Sequence, residues 1–145
     1  MYTSNRNRYG GGVAIYVSDK YHCTDNNACS LLEIHIESLG IEVKLDEKTY
    51  LCISIYRPPQ SNIIDLLSSL NEILNSTKDK YYKRVFMFGD FNIDVIQNNN
   101  SNVQKLINFM YSFLFSLNDP SNANNHIICY SYWSCLVFSC PIKCS

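Results

Sequence analysis

The sequence predicts a mixed α/β fold, and three observations predict it. Short apolar runs repeat with a period of two, two longer segments repeat with a period of 3.6, and the period switches at Ser61 and again at Ser101. With 145 residues the chain is one domain or part of one, long enough to bury a sizeable core and without room for a second domain.

Hydrophobic residues make up 46% of the chain, charged residues 17%, and the formal net charge is −1. No general basic field therefore draws in nucleic acid, which counts against a free-standing nucleic-acid binder. A nuclease stays open, because a cleft can be locally basic and Arg57, Lys83 and Arg84 lie near the key elements. The start, MYTSNRNRYGGG, has no apolar signal-peptide core, so an intracellular protein is expected. Of seven cysteines, Cys129, Cys135, Cys140 and Cys144 crowd the C-terminal tail at separations that match no common zinc spacing, and reduced, partly buried thiols are the expectation.

In chain order, Gly10, Gly11 and Gly12 lead into a β-branched and aromatic run, 13–17, that reads as a strand. The glycines make no phosphate loop, since no strand precedes them and no Gly-Lys-Ser/Thr follows. Residues 18–30 are polar, with a turn at Asp25, Asn26 and Asn27. Residues 31–36 alternate, Leu32, Ile34 and Ile36 against Glu33, His35 and Glu37, which predicts a strand with one wet side and makes His35 a solvated strand-face residue. Gly40 breaks the chain, Ile41, Val43 and Leu45 alternate again, and Asp46, Glu47 and Lys48 form a polar turn. A more apolar strand at 50–56 is stopped by Pro58 and Pro59, which leaves Tyr56 and Arg57 at a strand end.

Ser61 is a plausible N-cap for a helix over 62–75, whose Ile63, Leu66, Leu67, Leu70, Ile73 and Leu74 form one apolar stripe that should cover a sheet face. A strand over 84–89 follows, so a right-handed crossover is inferred. Beyond an asparagine-rich loop at 98–102, Ser101 and Gln104 resemble a capping box at the start of a second amphipathic helix over 102–117, ended by Asp119 and Pro120. The stretch 127–142 is apolar and aromatic, too short and too interrupted by serines for a membrane span. Two readings of it stay open, a pair of edge strands or sequence foreign to the fold.

The run 84–95, RVFMFGDFNIDV, organises the rest. Val85 to Phe88 fit a buried central strand, and Gly89 ends it. Asp90 and Asn92 then stand just past the strand's C-terminal end, where α/β folds place their chemistry, while Phe91 points into the packing. A carboxylate there can take a proton or face a metal-bound water, and a carboxamide can donate to a phosphate oxygen. Gly-Asp-x-Asn is equally good turn composition, and Asp94 reads as a turn or helix-start residue.

Three segments in this order, Gly10 to Val17, Ile55-Tyr56-Arg57-Pro58-Pro59, and Gly89-Asp90-Phe91-Asn92-Ile93-Asp94, resemble the endonuclease/exonuclease/phosphatase superfamily, in particular the endonuclease domain of non-LTR retrotransposons. The resemblance covers roughly Tyr9 to Leu117. It implies a four-layer α/β sandwich, here a partial one over 1–118 with an unassigned cysteine-rich tail at 119–145. It also implies hydrolysis of a phosphodiester in DNA with Mg²⁺ and an activated water, a nick whose 3′ hydroxyl primes reverse transcription. By the same resemblance Asp90 positions or deprotonates the water, Asn92 hydrogen-bonds the scissile phosphate, Tyr56 helps hold it, and Arg57 meets a backbone phosphate. The family's strand-end glutamate ligand would lie upstream of Met1, and its Ser-Asp-His motif does not occur here, so no metal ligand is assigned and the isolated chain is expected to be inactive. The alternative is a small α/β structural or binding module without catalysis. An incomplete sandwich should also leave Leu31, Ile53 or Phe86 without a partner layer, so self-association through exposed sheet is expected, DNA binding only with flanking sequence, and no membrane association.

Overall fold

The structure, a computed structural model, describes residues 1–5, 12–78, 80, 82–93, 100–117 and 127–131. Two short strands come first, β1 (Tyr2–Asn5) and β2 (Gly12–Ile15), paired antiparallel as a sheet of their own. Then follow β3 (His22–Asn26), a 3-10 turn (Asn27–Cys29), β4 (Glu37–Leu45) and β5 (Lys48–Tyr56). Helix α1 (Ile63–Asn75), β6 (Arg84–Asp90), α2 (Ser101–Leu117) and β7 (Ile127–Ser131) complete the order. The main sheet runs β3-β4-β5-β6-β7, antiparallel up to β5 and parallel from β5 onwards.

Side-chain alternation gives this sheet two unlike faces. Leu51, Ile53 and Ile55 of β5 and Val85 and Met87 of β6 point to one face, where Ile63, Leu66, Leu70, Ile73 and Leu74 of α1 and Leu106 and Met110 of α2 close over them. Each such side chain stabilises by about 1.5–3 kcal/mol when fully buried, which is why the 3.6-period stripes bind the helices here. On the other face Leu39 and Ile41 of β4 pack under Val13 and Ile15 of β2. Helices, main sheet and the β1/β2 pair thus form three layers. Among the described residues no helix is long and apolar enough to cross a membrane.

Helix α1 is capped one residue later than Ser61: the Asn62 side chain accepts the Ile64 N–H at 2.9 Å. Several expectations are corrected. Residues 31–36 are not a strand beyond a single bridge of Leu32 to Glu37; Ile34 is 87% exposed and Leu32 exposed, while Ile36 is buried. The strand begins at Glu37 and runs straight through Gly40, because that glycine is where the 3-10 turn packs on the sheet, and a Cβ there would lie 2.4 Å from the Cys29 Cβ. The polar run before it contains β3, an outer strand that wets its solvent side. Ile53 has its partner layer in α1 and is fully buried, and Leu31 packs against the same core, whereas Phe86 faces the opposite side. Part of the 127–142 stretch is β7, parallel to β6; residues 132–142 lie outside the described residues, as does Asp94.

Candidate functional site at the sheet rim

β5 and β6 run parallel in register from Tyr50↔Arg84 to Tyr56↔Asp90, so their C-terminal ends meet at one rim. Glu37, the first residue of β4, pairs with Tyr56 from the other side. Glu37, Tyr56 and Asp90 therefore form a row across three strands about 4.8 Å apart, with side chains on the face opposite the helices. Tyr56 and Asp90 are half-buried, and Glu37 is fully buried.

The chain turns sharply after this row, and the turn is fastened at both ends. Gly89 lies at φ 147°, where β6 presses on β5 so closely that a Cβ would sit 1.7 Å from the Ile55 carbonyl oxygen. Asp90 Oδ1 then accepts the Asn92 N–H at 2.8 Å, which bends the backbone and holds Asn92 at φ 47°, a left-handed conformation that asparagine tolerates. Phe91 is buried in the helix-side core, and Asn92 is exposed. The Asn92 carboxamide donates to the Arg57 carbonyl at 2.7 Å, and the Arg57 N–H donates to the Asp90 carbonyl at 2.9 Å.

Arg57 differs from a residue that faces a phosphate. It is 4% exposed, and its guanidinium donates to the carbonyls of Phe91 and Asn92, each at 3.1 Å, and to that of Ser61. Its Nε is buried without a hydrogen-bond partner among the described residues, and burial lowers the pKa of the guanidinium. The cation lies under the loop and clamps it; its charge reaches the rim only through that loop. The structure thus brings Tyr56, Asp90 and Asn92 to one rim, with Arg57 as their support.

Among the described residues no group of three or more His, Cys, Asp or Glu side chains could hold a metal ion. Magnesium wants near-octahedral oxygen ligands and keeps several waters. Asp90 is the accessible carboxylate of the row, and one of its oxygens already accepts from Asn92. Glu37 is closed to a hydrated ion by its burial. The described residues by themselves do not fit Mg²⁺.

Glu37 is the residue at this rim that alternation misplaces: counted with Glu33 and His35 on a wet face, it belongs to the next strand and points inward. The signal available was its position two and four residues before Leu39 and Ile41. His35 is likewise not simply solvated. Its Nε2 lies 2.8 Å from Glu33 Oε2 and 3.0 Å from the hydroxyl of Ser69 on α1. One ring nitrogen faces both partners, so the N–H directed at Glu33 leaves no lone pair to accept the Ser69 proton, and the trio is not a nucleophile with its base.

No protein family matches the sequence, and no curated protein does. Among solved structures, the chain is similar to the endonuclease domain of TRAS1, a telomere-specific non-LTR retrotransposon, with a TM-score of 0.54 at 11% sequence identity. The likeness covers 66% of this chain and 42% of that one. This chain therefore shares, at a distance, the mixed α/β fold of a retrotransposon endonuclease domain.

Proposed function

We propose that the chain is part of a metal-dependent DNA endonuclease domain of the endonuclease/exonuclease/phosphatase type, a piece of its four-layer sandwich, and that it is inactive as these 145 residues alone. The observation that carries the reading is the direct pairing of Tyr56 with Asp90 at the C-terminal rim, with Asn92 pinned beside them by Asp90 and Arg57. The fold likeness supports it. In this reading the free Asp90 oxygen orients a water and takes its proton. The second N–H of the Asn92 carboxamide and the Tyr56 hydroxyl donate to phosphate oxygens as charge develops on them. Mg²⁺ would require carboxylates from outside the described residues.

The test is nicking of supercoiled plasmid in Mg²⁺ by the 145-residue chain and by a chain extended through its genomic flanks, each beside Asp90→Ala. The 145-residue chain is expected not to nick. The extended chain is expected to nick, with a loss of about a hundredfold or more in the variant, the size of a lost general base. Extended-chain nicking indifferent to Asp90→Ala would remove Asp90 from the site. Absence of nicking by either chain would favour the second reading, a non-catalytic module, for which the Asp90 to Asn92 hydrogen bond is an ordinary turn.

A further inference from the structure

Arg57 stands between the rim residue Tyr56 and a Pro-Pro turn, and most of its hydrogen bonds go to the loop that carries the rim's other two groups. Its backbone N–H meets the Asp90 carbonyl at 2.9 Å, and its Nη1 meets those of Phe91 and Asn92, each at 3.1 Å, so one residue holds three consecutive carbonyls. The link to Asn92 is reciprocal. The Asn92 side chain donates to the Arg57 carbonyl at 2.7 Å, while the Arg57 side chain donates to the Asn92 carbonyl. Nη2 adds the carbonyl of Ser61, whose own N–H and hydroxyl close a turn on the Pro58 carbonyl at 3.1 and 2.9 Å. Asn62 caps α1 directly after it, so the loop is referred to the start of a packed helix.

Burying a guanidinium among neutral acceptors costs free energy, and every acceptor this one meets among the described residues is a backbone carbonyl. A planar fork delivers donors to Phe91, Asn92 and Ser61 at once, whereas a lysine ammonium offers a single point. The Asn92 carboxamide commits one N–H to the Arg57 carbonyl, and that bond fixes the direction of the second N–H, the one assigned above to a phosphate oxygen. Resting on the endonuclease reading above, we infer that Arg57 is a positioning residue for phosphodiester cleavage: without touching DNA, it aims the free N–H of Asn92 and holds it in register with Tyr56 and Asp90. A donor that meets charge developing on the phosphate must be set in place beforehand, and a misplacement of about 1 Å costs about a hundredfold in rate.

The kinetic test uses the flank-extended chain nicking supercoiled plasmid in Mg²⁺, as wild type, Arg57→Lys and Arg57→Ala. Both variants are expected to lower kcat about tenfold to a hundredfold, with KM and its salt dependence unchanged. Added ethylguanidinium, which refills the space of the missing fork, is expected to restore Arg57→Ala several-fold and to leave Asp90→Ala unrestored. A raised KM with a shallower salt slope would overturn the inference by returning Arg57 to a backbone phosphate. Wild-type kcat in Arg57→Lys would overturn it alone, whereas a wild-type extended chain that does not nick would overturn the endonuclease reading and this inference with it. Should the variants fail to fold, NMR of the native 145-residue chain decides. The Nη protons of Arg57 and one Nδ2 proton of Asn92 are expected as separate signals protected from exchange; an Arg57 guanidinium that rotates and exchanges like free arginine would overturn the inference without any variant.

Discussion

Gly89 carries the shape of the rim in one missing carbon. Alanine at φ 147° is strained, and its Cβ would collide with backbone rather than with a movable side chain. Gly89→Ala is expected to lower stability by about 3 kcal/mol, visible as a lower urea midpoint with unchanged slope. Glu42 is the charged counterpart. Burial raises its carboxyl, but hydrogen bonds from Tyr82 at 2.6 Å, Lys80 at 3.0 Å and Asn26 at 2.9 Å outweigh that and hold it below its ordinary 4.5. Burial and the same carboxylate push the Tyr82 hydroxyl up, which keeps it a donor. A carboxyl depressed on folding stabilises above its unfolded pKa, and the gain is lost as pH falls through the folded value. Wild-type stability should therefore fall more steeply than that of Glu42→Gln as the pH drops from about 6 to about 3. Equal slopes in denaturant titrations would contradict this.

At the scale of elements, the β4/β5 hairpin turns on Asp46 and Glu47, both left-handed, with Leu45 paired to Lys48. Such two-residue turns match the twist of their strands but favour glycine at the second place. Glu47→Gly should raise stability by about 0.5–1 kcal/mol, the relief of left-handed strain less the added chain entropy, measurable as a higher thermal midpoint. Legibility in the sequence differs element by element for physical reasons. Both helices and the strands at Lys48–Tyr56 and Arg84–Asp90 show themselves because burial on a definite face imposes a period. β3 is hidden because its outward side chains face water, and Asn26, which looks like turn composition, is buried against Glu42 and Tyr82. The false strand at 31–36 arises because Leu32 and Ile34 are apolar yet exposed, and alternation cannot tell such residues from a core face.

For the molecule as a whole, Tyr56 could be placed at a strand end from Pro58-Pro59, which stop β5, whereas Gly89 does not end β6 as its composition suggests: the strand runs through it to Asp90, and Asn92 follows in the turn. The register of the two strands could not be read, because Tyr56↔Asp90 is fixed by the packing of α1 across 34 intervening steps of chain, and no local pattern records it. The role of Arg57 was hidden for the same reason: a guanidinium next to a strand-end tyrosine reads as a solvent-facing cation until the loop that covers it is seen.

The change from antiparallel to parallel pairing at β5 also divides the molecule in time. The β4/β5 hairpin closes over a two-residue turn, whereas Tyr50↔Arg84 and Val85↔Ile127 join residues 34 and 42 apart and must wait for longer loops to close. Pulse-labelled hydrogen exchange should find amides of Glu37–Tyr56 protected before those of Arg84–Asp90; simultaneous protection would contradict it. On the ribosome the interval lengthens. After Asp90 has been added, about forty more residues are made before Ser131 completes β7, and at usual synthesis rates the outer edge of β6 stays open to a neighbouring nascent chain for roughly 2–8 seconds.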